Sequence, residues 1–427
     1  MTKSKGLSNR TRIKYRFKQD DFDFFFQWIM GGQTHGGVES GECFFAAAEI
    51  QEGDTDSWFA AWTALAQRVE ARAKTSLAQG HLVSARESFL RTYSYCRAPL
   101  LFMDPKDPGY YKIYETARVC FRQAARLHTP AIEEIAIPFE GSLLSGYLLK
   151  PDNDPHPRKT LLMFGGGDSF VEDLYFYIGP AGLKRDYNVF IVDLPGQGIL
   201  PHNKLYMRAD SEVPMKAIVN FVLNHAQVDP ERVAAFGISA GGYLIPRAVT
   251  AEKRIKACIV SSAILNFHEV WTRNTALERV ASMENSRFFG LLKRLPFRKV
   301  QVMSKLVDTY TWRWGVSSVT DLIEASKQFV FNPRDISCPT LVLIGQQEYE
   351  RFEASREWAH RYINEASSQN KKLIITPQNE GADGHAIGTN LSLMSQLVFD
   401  WLDEVFEART NGVPQRSDYQ RVGVGLR

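Results

Sequence analysis

Gly237-Ile238-Ser239-Ala240-Gly241-Gly242 is the stretch of this chain whose residue types and spacing could most directly do chemistry. A serine between glycines could be a nucleophile set on a sharp turn. With glycine and serine each at about 7% of residues, roughly 0.1–0.2 such GxSxG matches arise by chance in a chain of this length, so context must decide. Here the apolar run RVAAF, from Arg232, leads straight into the motif, and the helical stretch GYLIPRAV leaves it. That strand–turn–helix setting is a nucleophile elbow, in which glycines relieve the crowding around an exposed serine. A glycine-rich turn with an incidental serine is the plainer alternative.

A serine hydroxyl is a poor nucleophile until a base removes its proton. Of the nine histidines, only His385 follows the last expected strand. It sits in EGADGHAIGTN, a loop of small residues ahead of a C-terminal helix, from which a side chain can reach back to Ser239. The base in turn needs a carboxylate to hold its tautomer and stabilise the imidazolium. TLVLIGQQEYE offers Glu348 just after a strand, with Glu350 as second choice; Asp383 is too close in sequence to His385 to be preferred. Charge developing on a substrate oxygen calls for preorganised N–H donors. Ala240, directly after the serine, is one candidate, and Gly167 in Gly165-Gly166-Gly167-Asp168 is the other. Asp168, Glu172, Tyr177 and Trp271 are further candidates for touching substrate, while Asp193-Leu194-Pro195-Gly196-Gln197-Gly198 reads as a turn serving the fold.

Short apolar runs that could hold these residues begin at Thr160 (TLLMF), Val189 (VFIVD), Arg232, Ala257 (ACIVS), Thr340 (TLVLI) and Lys372 (KLIIT). Helical patterns at 213–226, 352–366 and 391–406 lie between or after them. Near-continuous apolar strands joined by helices mean a mainly parallel sheet covered on both faces. Ahead of it, EEIAIPFEGSLLSGYLLKP reads as a hairpin turning at Glu140-Gly141. The first 130 residues read as helical; Trp58, Trp62, Leu65, Val69 and Ala73 form one apolar stripe, with Asp54 or Asp56 available as its cap. Further helices are expected around 83–98 and 110–127. The expected organisation is a helical N-terminal lobe (1–130), an α/β-hydrolase core in two parts (131–263 and 332–410), a helical cap insertion (264–331) and a mobile tail (411–427). The insertion carries Phe267, Trp271, Phe288, Phe289, Trp312 and Trp314 and is expected over the sheet's carboxyl edge.

Composition excludes several classes. A net charge of +3 and no basic stripe interleaved with aromatics exclude nucleic acid as an expected partner. The five cysteines are widely spaced without a CxxC pair, so reduced buried thiols are expected rather than disulfides or a zinc site. No Walker loop, dinucleotide fingerprint or HExxH occurs, and neither a cofactor nor a metal is expected. No apolar stretch is long enough to span a bilayer, and a soluble cytoplasmic protein that binds a small molecule is the expectation.

GDTDSWFAAWTALAQRVEARA, GHLVSARESFLRTYSYCR, GGGDSFVEDLYF, FGISAGGY and EGADGHAIGTN with the later FDWL together resemble the FrsA-like α/β-hydrolases. The resemblance runs from about Gly36 to Leu402. More narrowly, it looks like dihydroxypseudooxynicotine hydrolase and fungal polyketide-shortening hydrolases of the yellowish-green pigment type. It implies a serine-triad enzyme, often dimeric, acting on ketone-bearing metabolites, some relatives cleaving a carbon–carbon bond beside a carbonyl. Ser239 and His385 match the family's nucleophile and base, whereas Glu348 stands where an aspartate is more usual. The expected function is hydrolysis of a C–C, ester or thioester acyl bond in a polyketide-like molecule. Ring closure by the same triad, or a catalytically silent binding or regulatory protein, are the alternatives.

Overall fold

The computed structural model describes residues 12–273 and 298–411. The chain divides into two compact units: one from residues up to 132 together with 272–322, the other from 133–271 together with 323 onward.

The first unit is helical, built on α1 (Asp20–Gly31), α2 (Ser40–Ala48), α3 (Thr55–Ala78), α4 (Leu82–Leu100) and α5 (Pro108–Arg126). Asp54 caps α3, its carboxylate accepting from the N–H groups of Asp56 and Ser57. The apolar stripe of α3 is wholly buried. Trp58 begins it, with the rings of Phe17, Phe22, Trp62 and Phe102 at 5.1–6.0 Å. Its indole N–H donates to the Ala98 carbonyl at 2.9 Å, so the one polar atom of the ring is satisfied on α4. α5 starts two residues earlier than its apolar pattern suggests, because Asp107 caps it and Pro108 fits the first turn, where no N–H is needed. The helix Arg298–Trp314 belongs to this unit, and Trp312 meets Tyr110 edge-on at 5.9 Å. Phe288 and Phe289 lie outside the described residues. Cys43, Cys96 and Cys120 are buried here, and burial pushes the thiols of Cys43 and Cys96 up to about 12, so they stay protonated and unreactive.

The second unit is an eight-stranded sheet in the order β1-β2-β4-β3-β5-β6-β7-β8. Its strands are β1 (Glu133–Phe139), β2 (Ser142–Leu149), β3 (Arg158–Phe164), β4 (Asn188–Val192), β5 (Val228–Ile238), β6 (Ala257–Ser261), β7 (Thr340–Gly345) and β8 (Lys371–Thr376). β1 and β2 pair as a hairpin through Glu140-Gly141, both at positive φ as a two-residue turn demands. β2 joins β4 antiparallel, and from β4 to β8 every pairing is parallel. β4, β6 and β7 are buried at every residue, while the edge strand β1 alternates buried and exposed positions. α6 (Asp173–Leu183), α7 (Glu212–Leu223), α8 (Gly241–Val249), α9 (Glu353–Glu365) and α10 (Leu391–Asn411) are the principal helices of this unit. This mostly parallel eight-stranded sheet with its helices is the α/β-hydrolase architecture. Among the described residues no helix is long and apolar enough to cross a membrane.

Trp58→Ala would leave a large cavity and remove the indole donor to the Ala98 carbonyl. It is expected to cost about 3–5 kcal/mol, read as an earlier urea midpoint for loss of near-ultraviolet tryptophan dichroism.

Candidate active site

A parallel sheet delivers the loop after every strand to one edge, so residues far apart in sequence can meet there. At the end of β5 the chain turns sharply into α8 with Ser239 at the corner. Ser239 has φ 53°, the left-handed region that a serine seldom adopts. Two hydrogen bonds hold it there: Ser239 N–H donates to the Ser261 carbonyl at 2.8 Å, and Gly242 N–H donates to the Ser239 carbonyl at 2.8 Å. A Cβ at Gly242 would lie 1.8 Å from the Ser262 carbonyl oxygen, so only glycine lets α8 leave the turn this close to the end of β6.

His385 sits in the loop between β8 and α10, with its Nε2 2.9 Å from Ser239 Oγ. Its Nδ1 is 3.1 Å from Glu348 Oε2. Glu348 lies in the short helix Gln346–Arg351 directly after β7 and is buried. With its proton on Nδ1, the imidazole donates to Glu348 and presents the Nε2 lone pair to the serine hydroxyl. This is the arrangement that makes a hydroxyl nucleophilic. Glu350 is exposed and accepts from Gln346 Nε2 at 2.7 Å, away from the histidine. The two loops are tied to each other, since Gln347 N–H donates to the Asp383 carbonyl at 3.2 Å. Thr376 Oγ1 donates to the Ala382 carbonyl at 2.6 Å, fixing the start of the histidine loop to β8.

The Gly165-Gly166-Gly167 loop lies against the elbow. A Cβ on Gly166 would come within 2.9 Å of Ser239 Cβ, so the loop backbone passes the serine at a distance no side chain permits. Gly166 N–H is committed to Ser169 Oγ at 2.8 Å. Gly167 is half-buried, and Ala240 is the first residue past the serine. What clamps this loop is Gln197, fully buried in the segment read from sequence as a plain turn. Its Nε2 donates to the Gly165 carbonyl at 2.6 Å and reaches Gly166 O at 3.2 Å, while its Oε1 accepts from Leu194 N–H at 2.9 Å. A glutamine in a Pro-Gly-rich turn carries no local signal for that task.

Of the four residues expected near substrate, two have their polar ends engaged inside the fold. Tyr177 Oη donates to the Ala386 carbonyl at 2.7 Å, bracing the residue next to His385. Burial, with the nearby Asp168 carboxylate, pushes the Tyr177 phenol well above its usual range, so it remains a donor. Glu172 is fully buried and accepts from Tyr147 Oη at 3.1 Å. Trp271 stacks on Phe267, which meets Tyr243 of α8 edge-on at 5.3 Å, so it extends an aromatic cluster. Asp168 is half-buried at the tip of the glycine loop. Ser262, which no sequence pattern singles out, lies within hydrogen-bond distance of both Glu348 and His385. Among the described residues no three His, Cys, Asp or Glu side chains gather so as to hold a metal ion.

What the sheet and its edge loops build is an α/β-hydrolase, and the chain is accordingly an enzyme of the hydrolase class. The profile of the esterase FrsA-like family matches residues 58–316, and the chain belongs to that family. Hydrolase LUC6 of a Fusarium species is 30% identical over 419 residues, covering 92% of this chain and 98% of its own. 20-hydroxy-prefusarin hydrolase FUS2 of Gibberella moniliformis is 30% identical over 414 residues, covering 91% and 97%. The solved structure of 2,6-dihydroxy-pseudo-oxynicotine hydrolase superposes with a TM-score of 0.70 at 18% identity, over 92% of this chain and all of that one, a likeness of fold.

Gln197→Ala keeps the sheet but releases the glycine loop. A displacement of about 1 Å at such a loop is worth roughly 10²-fold in rate, and that loss is expected in fluorophosphonate labelling of Ser239, with thermal unfolding shifted by only a few degrees.

Proposed function

We propose that this chain is a serine hydrolase that cleaves an acyl bond in a ketone-bearing, polyketide-like small molecule. The observation that carries the reading is the unbroken line from Ser239 Oγ through His385 to the buried Glu348, with the serine held at positive φ on the elbow. In this reading Ser239 Oγ attacks a substrate carbonyl as its proton passes to His385 Nε2. The oxyanion accepts from the backbone N–H groups of Ala240 and Gly167. The bond to the leaving group then breaks, His385 returns the proton to it, and water regenerates the serine by the same steps in reverse.

The bond broken could be C–C, ester or thioester. A carbon leaving group adds one demand, because the electron pair it carries away must be delocalised into a neighbouring carbonyl. A ketone beside the scissile bond meets that demand, and His385 then protonates the enolate. The relatives support a small organic substrate of this kind: they are fungal hydrolases, and one is named for 20-hydroxy-prefusarin. We place the chain with them in fungal secondary metabolism.

Intact-mass spectrometry after a fluorophosphonate probe tests the triad. A single adduct is expected on the wild type, absent in Ser239→Ala and formed roughly 10³-fold or more slowly in His385→Ala and Glu348→Gln. Glu350→Gln is expected to label within about twofold of wild type, as its carboxylate is exposed. An adduct that persists in Ser239→Ala, or a folded wild type that never labels even with a small probe, overturns the reading.

A further inference from the structure

Ser262 is the residue immediately after β6, and its side chain occupies the one spot where the acid and the base of the site meet. Its Oγ is 3.1 Å from Glu348 Oε2 and 3.2 Å from His385 Nδ1, the same two atoms that lie 3.1 Å from each other. The residue is 1% exposed and has φ 77°. A non-glycine residue in the left-handed region costs on the order of 1–3 kcal/mol and persists only where its surroundings over-determine it. Here they do. Ser262 N–H donates to the Leu343 carbonyl at 3.3 Å, and its own carbonyl presses on Gly242. The Tyr362 hydroxyl, from α9, reaches the carbonyls of Gly242 and Ile264 at 3.1 and 3.2 Å, and Ile264 N–H donates to Gly242 O at 3.4 Å. Glycine would adopt this backbone without strain, but it would lack the hydroxyl.

The chemistry of the three groups fixes which way the hydrogen bonds run. An ionised carboxylate only accepts, so the Ser262 hydroxyl donates to Glu348 Oε2. Nδ1 of the imidazole carries the proton whenever Nε2 faces the serine nucleophile. Its N–H is therefore shared between Glu348 Oε2 and a lone pair of Ser262 Oγ. A glutamate has one more freely rotating bond than an aspartate, and a carboxylate on a longer arm strays more readily from the imidazole. A fixed donor beside it removes that freedom.

We infer that Ser262 is a positioning residue for the acid–base pair, pinning the Glu348 carboxylate beneath His385 Nδ1. This rests on the reading of Ser239, His385 and Glu348 as a triad. It assigns to Ser262 no contact with substrate and no proton of its own to transfer. When the pin is lost, the carboxylate swings away, the imidazolium loses its counter-charge, and the base is weakened.

The test is the rate of fluorophosphonate labelling at Ser239 as a function of pH, for wild type, Ser262→Ala and Ser262→Gly. Ser262→Gly relieves the backbone strain, so a loss of rate there cannot be put down to a damaged fold. Hydrogen bonds to a charged group are worth a factor of about ten or more, and a fall of that size in the plateau rate is expected in both variants. The pH of half-maximal labelling is expected to move to the acid side, because the protonated base loses its counter-charge when the carboxylate swings away. In a Glu348→Gln background the further loss on Ser262→Gly is expected to shrink to about twofold. A wild-type plateau in Ser262→Gly overturns the proposal, and so does a lowered plateau whose midpoint is unmoved or shifted to the alkaline side. Failure of the triad reading itself is recognised separately, by a wild type that carries no adduct on Ser239.

Discussion

The hydrogen bond from Ser239 N–H to the Ser261 carbonyl, 2.8 Å long, fastens the last turn of β5 to the end of β6. Much else at the sheet's edge follows from it. It fixes the serine in a backbone region that is costly for any residue with a Cβ. It brings α8 so near to β6 that Gly242 has no room for a side chain. It also sets Ser239 and Ser262, the residues at the ends of two neighbouring strands, on either side of the same imidazole. The strain is carried by the sheet, where β6 and β7 are buried along their whole length and β5 from Val233 to Ile238, so they cannot shift to relieve it.

Each loop at this edge leans on another. The acid's loop and the base's loop share the bond from Gln347 to Asp383, the base's loop rests on Tyr177 of α6, and the glycine loop hangs from Gln197 in the loop after β4. Ala386 and Ile387, just after His385, both have positive φ, at 54° and 56°. A β-branched residue in that region is a genuine outlier, so the imidazole is presented by a backbone held under tension. Interlocked loops of this kind preorganise donors and acceptors, and reaction then demands little rearrangement.

How much of this could be read in advance depended on how local its cause was. The elbow was legible because strand, glycines and helix lie within a dozen residues. β6 runs from Ala257 to Ser261, as its apolar run suggests, and the hairpin turns at the expected pair. β5 begins at Val228 rather than Arg232, because Val228 pairs with Arg158 across a register shift although Asp229-Pro230-Glu231 has the composition of a turn. Gln197, Tyr177 and Ser262 owe their roles to partners 31 to 209 positions away, and nothing in their own neighbourhoods announces them. The partition of the chain was equally hidden: 272–322 groups with the N-terminal helices, a relation set by tertiary contact.

That partition bears on how the molecule is made. Neither unit is continuous in sequence, so neither is complete while its first segment alone has left the ribosome. The roughly 190 residues between Ile132 and Leu322 take about 10–40 s to synthesise at about 5–20 residues per second. For that interval the Trp58-bearing helices lack the partner segment that completes their unit, and β1 to β6 wait likewise for β7 and β8. A nascent chain with two incomplete units leaves apolar surface and unpaired strand edges uncovered until the later segments arrive.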